Sequence, residues 1–168
     1  MPEPGAALTL IAFDFGLRRI GVAVGDSITG TAAPCPAIRG DLSAAAGPAP
    51  DWNTIERQIR TTAPQRLIVG APYNEAGDAT PMTQAARRFA LELASRFKLP
   101  VCFVDERYSS LEAAAALKEQ RASGRRRRRV VREDIDSASA ALILERWLAG
   151  GQRGEEITMT TTKDAHAE

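Results

Sequence analysis

The chain has 168 residues, 44% of them hydrophobic and 26% charged, which suits one domain with a core of its own. No apolar run approaches the ~20 residues that cross a bilayer, and the start, Met1-Pro2-Glu3-Pro4-Gly5, lacks the features of a secretion signal, so cytoplasmic residence is expected. One histidine, His166, and two cysteines 67 positions apart, Cys35 and Cys102, argue against zinc sites and histidine-activated nucleophiles.

An apolar run over residues 8–13 ends in Asp14, and a second β-like run over 20–25 follows a tight turn containing Gly16. A third, weaker strand is expected over 31–39, where Pro34 and Pro36 favour an edge strand or a loop. Residues 40–50 read as a connecting loop. Asp51 can cap a helix carrying Trp52, Ile55 and Ile59 at helical spacing, with Pro64 at its end. Residues 67–70 are wholly apolar and predict a strand buried on both faces. After a loop with turn chemistry, Thr80 and Pro81 have the pattern of an N-cap and first helical residue. Met82, Ala86, Phe89, Leu93 and Phe97 then form one helix face, read as core.

Pro100 opens another strand, residues 101–104, in which Cys102 reads as a small buried hydrophobe. Ser109-Ser110-Leu111-Glu112 has the spacing of a capping box that starts a further helix. A last helix is expected over 134–149, stopped by Gly150 and Gly151. The division is thus one domain over 1–149 and a disordered tail over 150–168. Helices alternating with strands predict an α/β domain with a mixed sheet.

Three acids stand where chemistry collects. Asp14 and Glu106 each lie at the C-terminal end of an apolar strand, the edge where ligands bind in open α/β sheets. Asp136 shares a helix face with Ala140, Ile143 and Trp147, so a face packed on the sheet carries it towards the strand ends. Two of the acids have a plainer reading: hairpin punctuation for Asp14, and dipole complementation in a first helical turn for Asp136, with Asp134 competing as cap or ligand. Read together, clustered carboxylates repel one another unless a cation lies between them. Mg²⁺ or Mn²⁺ suits an all-oxygen set and can ready a water for attack on a phosphodiester.

The net charge is only +1, yet residues 118–132 hold eight Lys or Arg against one acid, Glu119, a local +7 offset by −6 elsewhere. Within it, Arg125, Arg126, Arg127, Arg128 and Arg129 are read as a phosphate contact, with a solvated loop as the alternative. Arg18, Arg19 and Arg107, beside the strand-end acids, are read with them as substrate-binding.

Asp14-Phe15-Gly16-Leu17-Arg18-Arg19-Ile20-Gly21-Val22-Ala23-Val24 resembles the opening signature of the YqgF family, described as pre-16S rRNA nucleases and earlier as Holliday junction resolvases. Gly70-Ala71-Pro72-Tyr73-Asn74 with Gly77 is similar to its second motif. Asp105-Glu106-Arg107-Tyr108-Ser109-Ser110 followed by Glu112-Ala113 resembles the third. The arginine run, then Asp136 and Ala141-Leu142-Ile143-Leu144, resembles its basic loop and final helix. The match spans about residues 7–149.

The resemblance implies a ribonuclease-H-like fold, with a five-stranded mixed sheet flanked by helices. It also implies a divalent metal held by Asp14, Glu106 and Asp136, and hydrolysis of phosphodiesters at the 5′ end of precursor 16S rRNA, in the small-subunit precursor. Departures include Arg18 for lysine, Ala71 and Tyr73 for leucines, Tyr108 for leucine, and a Pro/Ala-rich insertion around 41–50. Tyr73 and Tyr108 are candidates for base stacking or for packing. Two other readings stay open: a resolvase acting on branched DNA, which needs paired active sites, and an RNA- or ribosome-binding module without catalysis. The chain is expected to work as a monomer or homodimer, away from membranes.

Overall fold

Phe13-Asp14-Phe15 sets the frame of the molecule, because side chains alternate across a strand. In the computed structural model, which describes residues 7–16, 18–41, 49–72, 76–105, 132–149 and 154–157, strand β1 (Thr9–Asp14) is the middle of the sheet. Ile11 and Phe13 face one layer of helices, and Leu10 and Ala12 face the other. β2 (Arg19–Asp26) returns antiparallel to β1, with Asp14 opposite Gly21 and Phe13 opposite Val22. β3 (Ala32–Asp41) runs antiparallel to β2, and the two-residue β4 (Ala49–Pro50) pairs with its far end.

The prolines in β3 have a visible consequence. Ile20 pairs with Ile38 but Val22 with Cys35, so β3 spends three steps where β2 spends two. Pro36 falls in that bulge, where a missing N–H costs no ladder bond.

Helix α1 (Trp52–Thr62) starts at Asp51, whose carboxylate accepts from Thr54 N, and ends at Ala63 in the left-handed region before Pro64. β5 (Arg66–Ala71) lies parallel to β1 on its other side, with Asp14 opposite Gly70. Helix α2 (Pro81–Phe97) has Thr80 as its N-cap in a reciprocal pair with Thr83. Its expected apolar face is the core: Ala86, Phe89 and Leu93 are buried, with Met82 and Phe97 packed against them. β6 (Val101–Asp105) is parallel to β5, and helix α3 (Arg132–Leu148) crosses the opposite face of the sheet. There Ile143, Leu144 and Trp147 bury themselves on Leu10, Ala12, Ile68, Cys102 and Val104.

The expected mixed α/β sheet is present, but among the described residues it has seven strands in the order β4-β3-β2-β1-β5-β6-β7 rather than five. The two extra strands are too short to carry a periodicity, and only their partners define them. One corrects the division of the chain. Within 150–168, expected to be a disordered tail, β7 (Glu155–Ile157) pairs antiparallel with β6 and buries Ile157. Arg66 and Arg87 hold it through ion pairs to Glu156 and Glu155. At Gly154 a Cβ would meet Phe103 O at 2.6 Å and Cys102 Sγ at 2.7 Å, so only glycine lets the chain approach β6 this closely. Among the described residues, no helix is long and apolar enough to cross a membrane.

Candidate functional site

Asp14 is aimed by its neighbours. Phe13 and Phe15 are both buried on the α2 side of the sheet, with ring centroids 5.6 and 5.5 Å from that of Phe89. Two aromatic anchors on one side leave the intervening carboxylate on the other, the face that α3 covers. Asp14 is half-buried there, at the last position of β1. The chain then turns through Gly16, where a Cβ would stand 2.6 Å from Arg19 O. Glycine serves here for space and not for a left-handed backbone, since Gly16 is not among the positive-φ residues.

Helix α3 is located over this point by a hydrogen-bonded serine. Ser137 is fully buried; its Oγ donates to Cys35 O at 2.5 Å and accepts from Val22 N at 3.2 Å. Val22 pairs with Phe13, so the serine stands one residue pair from Asp14 and Gly21. Asp136 directly precedes Ser137 in the helix. Its companions on the expected face, Ala140, Ile143 and Trp147, are all buried against the sheet. For those three residues the face read from spacing is the buried one, and Ser137 brings the start of α3 over β2 beside the end of β1.

The third element is β6. Asp14, Gly70 and Val104 lie side by side on β1, β5 and β6, a span of two strand spacings, roughly 10 Å. Cys102 and Val104 face α3, whereas Val101 and Phe103 face α2. Glu106 has the parity of Cys102 and Val104, but it lies outside the described residues, as do Arg107, Arg125, Arg126, Arg127, Arg128, Arg129, Tyr73, Tyr108 and the Ser109–Glu112 capping box. The side chains of Asp134 and Asp136 also lie outside them, and among the described residues no group of three or more His, Cys, Asp or Glu could hold a metal ion. Among the described residues, Asp14 offers a carboxylate oxygen at a strand end with neither imidazole nor an accessible thiolate beside it, a donor that suits a hard cation. Cys102 is buried and desolvation pushes its thiol up, as it does that of half-buried Cys35.

Cationic groups gather at the same end of the sheet. Arg18 is exposed in the β1–β2 turn and Arg19 opens β2. Arg39 of β3, which the sequence reading passed over, pairs directly opposite Arg19. The register thus brings two guanidinium-bearing positions of β2 and β3 together at this end of the sheet. Ser137 was missed too. Its one trace in the chain is a hydroxyl residue in line with the apolar residues Ala140, Ala141 and Leu144 at helical spacing.

The fold and residues have counterparts in known proteins. Residues 8–150 match the model of a family described as RuvX: Holliday junction resolvase. Over 143 residues the chain is 46% identical to proteins named "Putative pre-16S rRNA nuclease" from Escherichia coli O157:H7 (strain EC4115 / EHEC) and Escherichia coli O7:K1 (strain IAI39 / ExPEC), covering 85% of this chain and 97% of theirs. Among solved structures, Thermus thermophilus RuvC in complex with a Holliday junction substrate superposes with a TM-score of 0.52 at 13% identity, over 89% of this chain and 99% of that one. At that identity the likeness speaks for the fold alone, and it bears out the ribonuclease-H-like architecture.

Proposed function

The chain belongs to the RuvX family, the one its motifs resemble under the name YqgF, and on that premise we propose that it is a hydrolase cleaving phosphodiester bonds of precursor 16S rRNA with a divalent cation. The observation that carries this reading is the aim of Asp14. Its carboxylate sits at the end of β1 on the face crossed by α3, one residue pair from the anchor of the helix that bears Asp136. In this reading Asp14, Glu106 and Asp136 hold Mg²⁺ or Mn²⁺. Such a cation, when bound, supplies an activated water and stabilises charge on the phosphodiester oxygens. The protein's own part is to hold carboxylates rigidly at strand ends, so that little reorganisation accompanies reaction.

Arg18, Arg19 and Arg39 would grip the phosphates flanking the scissile bond, with Arg107 and Arg125 to Arg129 extending that grip along the backbone. A precursor rRNA substrate goes with residence in the cytoplasm. The relatives at 46% identity, named as pre-16S rRNA nucleases, support RNA as the substrate.

The family description favours a second reading, cleavage of a four-way DNA junction, which calls for two active sites related by symmetry. One experiment separates them. Wild type, Asp14→Asn and Glu106→Gln are assayed in Mg²⁺ on precursor 16S rRNA and on a four-way DNA junction. The expected result is cleavage of the RNA, with both variants slowed by about 100-fold or more. Cleavage of the junction alone moves the assignment to DNA. Undiminished cutting by Asp14→Asn removes Asp14 from catalysis.

A further inference from the structure

We propose that Ser137 is a positioning residue for the cation site: by bridging the β2–β3 bulge it sets where Asp136 stands relative to Asp14. The proposal rests on the reading of Asp14 and Asp136 as cation ligands. The bulge leaves Val22 and Cys35 as the first pair beyond the irregularity. The N–H of Val22 and the carbonyl of Cys35 both bond the Ser137 hydroxyl, at 3.2 and 2.5 Å. A hydroxyl is the smallest side-chain group that can accept from one and donate to the other. Alanine would satisfy neither, and both backbone groups would lose a buried partner.

The bond is directional as well as buried. The apolar contacts of α3 begin one turn later, where Ala140 and Ala141 pack with Ala23, and continue through Ile143, Leu144 and Trp147, and apolar packing tolerates small sliding that a two-centre hydrogen bond does not. Ser137 is thus the hydrogen-bonded contact that fixes the height of the helix start above β2. The helix backbone at Asp136, one residue away, inherits that height. Displacement of a ligand by a fraction of an ångström loosens a cation that demands near-octahedral geometry.

Direct Mn²⁺ titration, with free ion followed by electron paramagnetic resonance, tests the idea without reference to cleavage. Melting temperatures of the same samples are recorded alongside. Ser137→Ala is expected to weaken Mn²⁺ binding roughly 10-fold or more. Ile143→Val and Leu144→Ala, which bracket the loss of melting temperature and keep the hydroxyl, are expected to bind within about twofold of wild type. If Ser137→Ala does not fold, Ser137→Cys replaces it, since a thiol is a weak donor and acceptor, and the same weakening is expected. Wild-type affinity in the folded serine variant, or equal weakening in the two packing variants, overturns the proposal. Asp14→Asn separates this from failure of the underlying reading. If wild type binds Mn²⁺ and Asp14→Asn does not, the cation site stands whatever Ser137 does; if Asp14→Asn binds as tightly as wild type, the site itself is misassigned.

Discussion

Single residues around Asp14 act through geometry more than through their own chemistry. Phe13 and Phe15 spend their bulk against Phe89 and thereby decide which way the acid between them points. Gly16 then lets the chain turn under Arg19 O, where a methyl group would collide at 2.6 Å with backbone that cannot rotate away. Gly16→Ala is therefore expected to destabilise the protein by roughly 1–3 kcal/mol, the range for forcing atoms into a packed site. Urea unfolding monitored by Trp fluorescence checks it, and a stability equal to wild type would mean that the turn has slack. Asp14 and Gly16 stood out in the chain as written. Ser137 and Arg39 did not, because their meaning depends on which backbone groups lie opposite them.

Among the elements, the helices carry their own start signals. Asp51 caps α1 through Thr54 N and Thr54 Oγ1, and Thr80 caps α2 while Thr83 Oγ1 donates to Pro72 O, tying the loop after β5 to the helix. The bonds from Thr54 hold the Asp51 carboxyl below its ordinary value. A carboxyl lowered on folding contributes stability that is complete above its unfolded pKa and is lost as pH falls through the folded one. Thermal melts at decreasing pH are thus expected to show an acid-side decline beginning near the ordinary aspartate range. Asp51→Asn keeps a capping oxygen but cannot titrate, so it should reduce the slope of that decline and leave the melting temperature near neutrality almost unchanged. An identical acid slope in the variant would show that the cap does not report on α1. Asp26 contributes in the same direction through bonds from Ile28 N and Thr29 N, so a residual slope remains.

For the whole molecule, β7 is the element that the chain conceals most thoroughly. Three residues of strand, two of them glutamates, have no periodicity of their own. They become a strand because β6 offers an open edge, Ile157 finds a core, and Arg66 and Arg87 reach the two carboxylates. Arg66 also lies over the ring of Trp147, 5.5 Å from its centroid, so one guanidinium joins β5, β7 and α3. Exposed ion pairs of this kind are worth only about 0.2–1 kcal/mol each, and close backbone approach at Gly154 matters more. Gly154→Ala is expected to detach β7, and hydrogen exchange at the Val101 and Phe103 amides should accelerate while β1 and β5 stay protected. Unchanged protection along β6 would show that the edge is closed by something else.

Hydrophobic periodicity, cap residues and strand-end acids were enough to place β1, β2, β5, β6, α1 and α2 and to single out Asp14, because each of those signals is local to a few neighbouring residues. The side of the sheet that Asp14 faces could also be read locally, once its two phenylalanines were known to be core. Strand order, the short strands β4 and β7, the bulge between the Ile20 and Val22 pairs, the Arg19–Arg39 pairing and the two hydrogen bonds of Ser137 came only with the tertiary structure. Each of these joins residues far apart in the chain, 115 positions in the case of Val22 and Ser137, and such a contact exists only when two surfaces already folded meet.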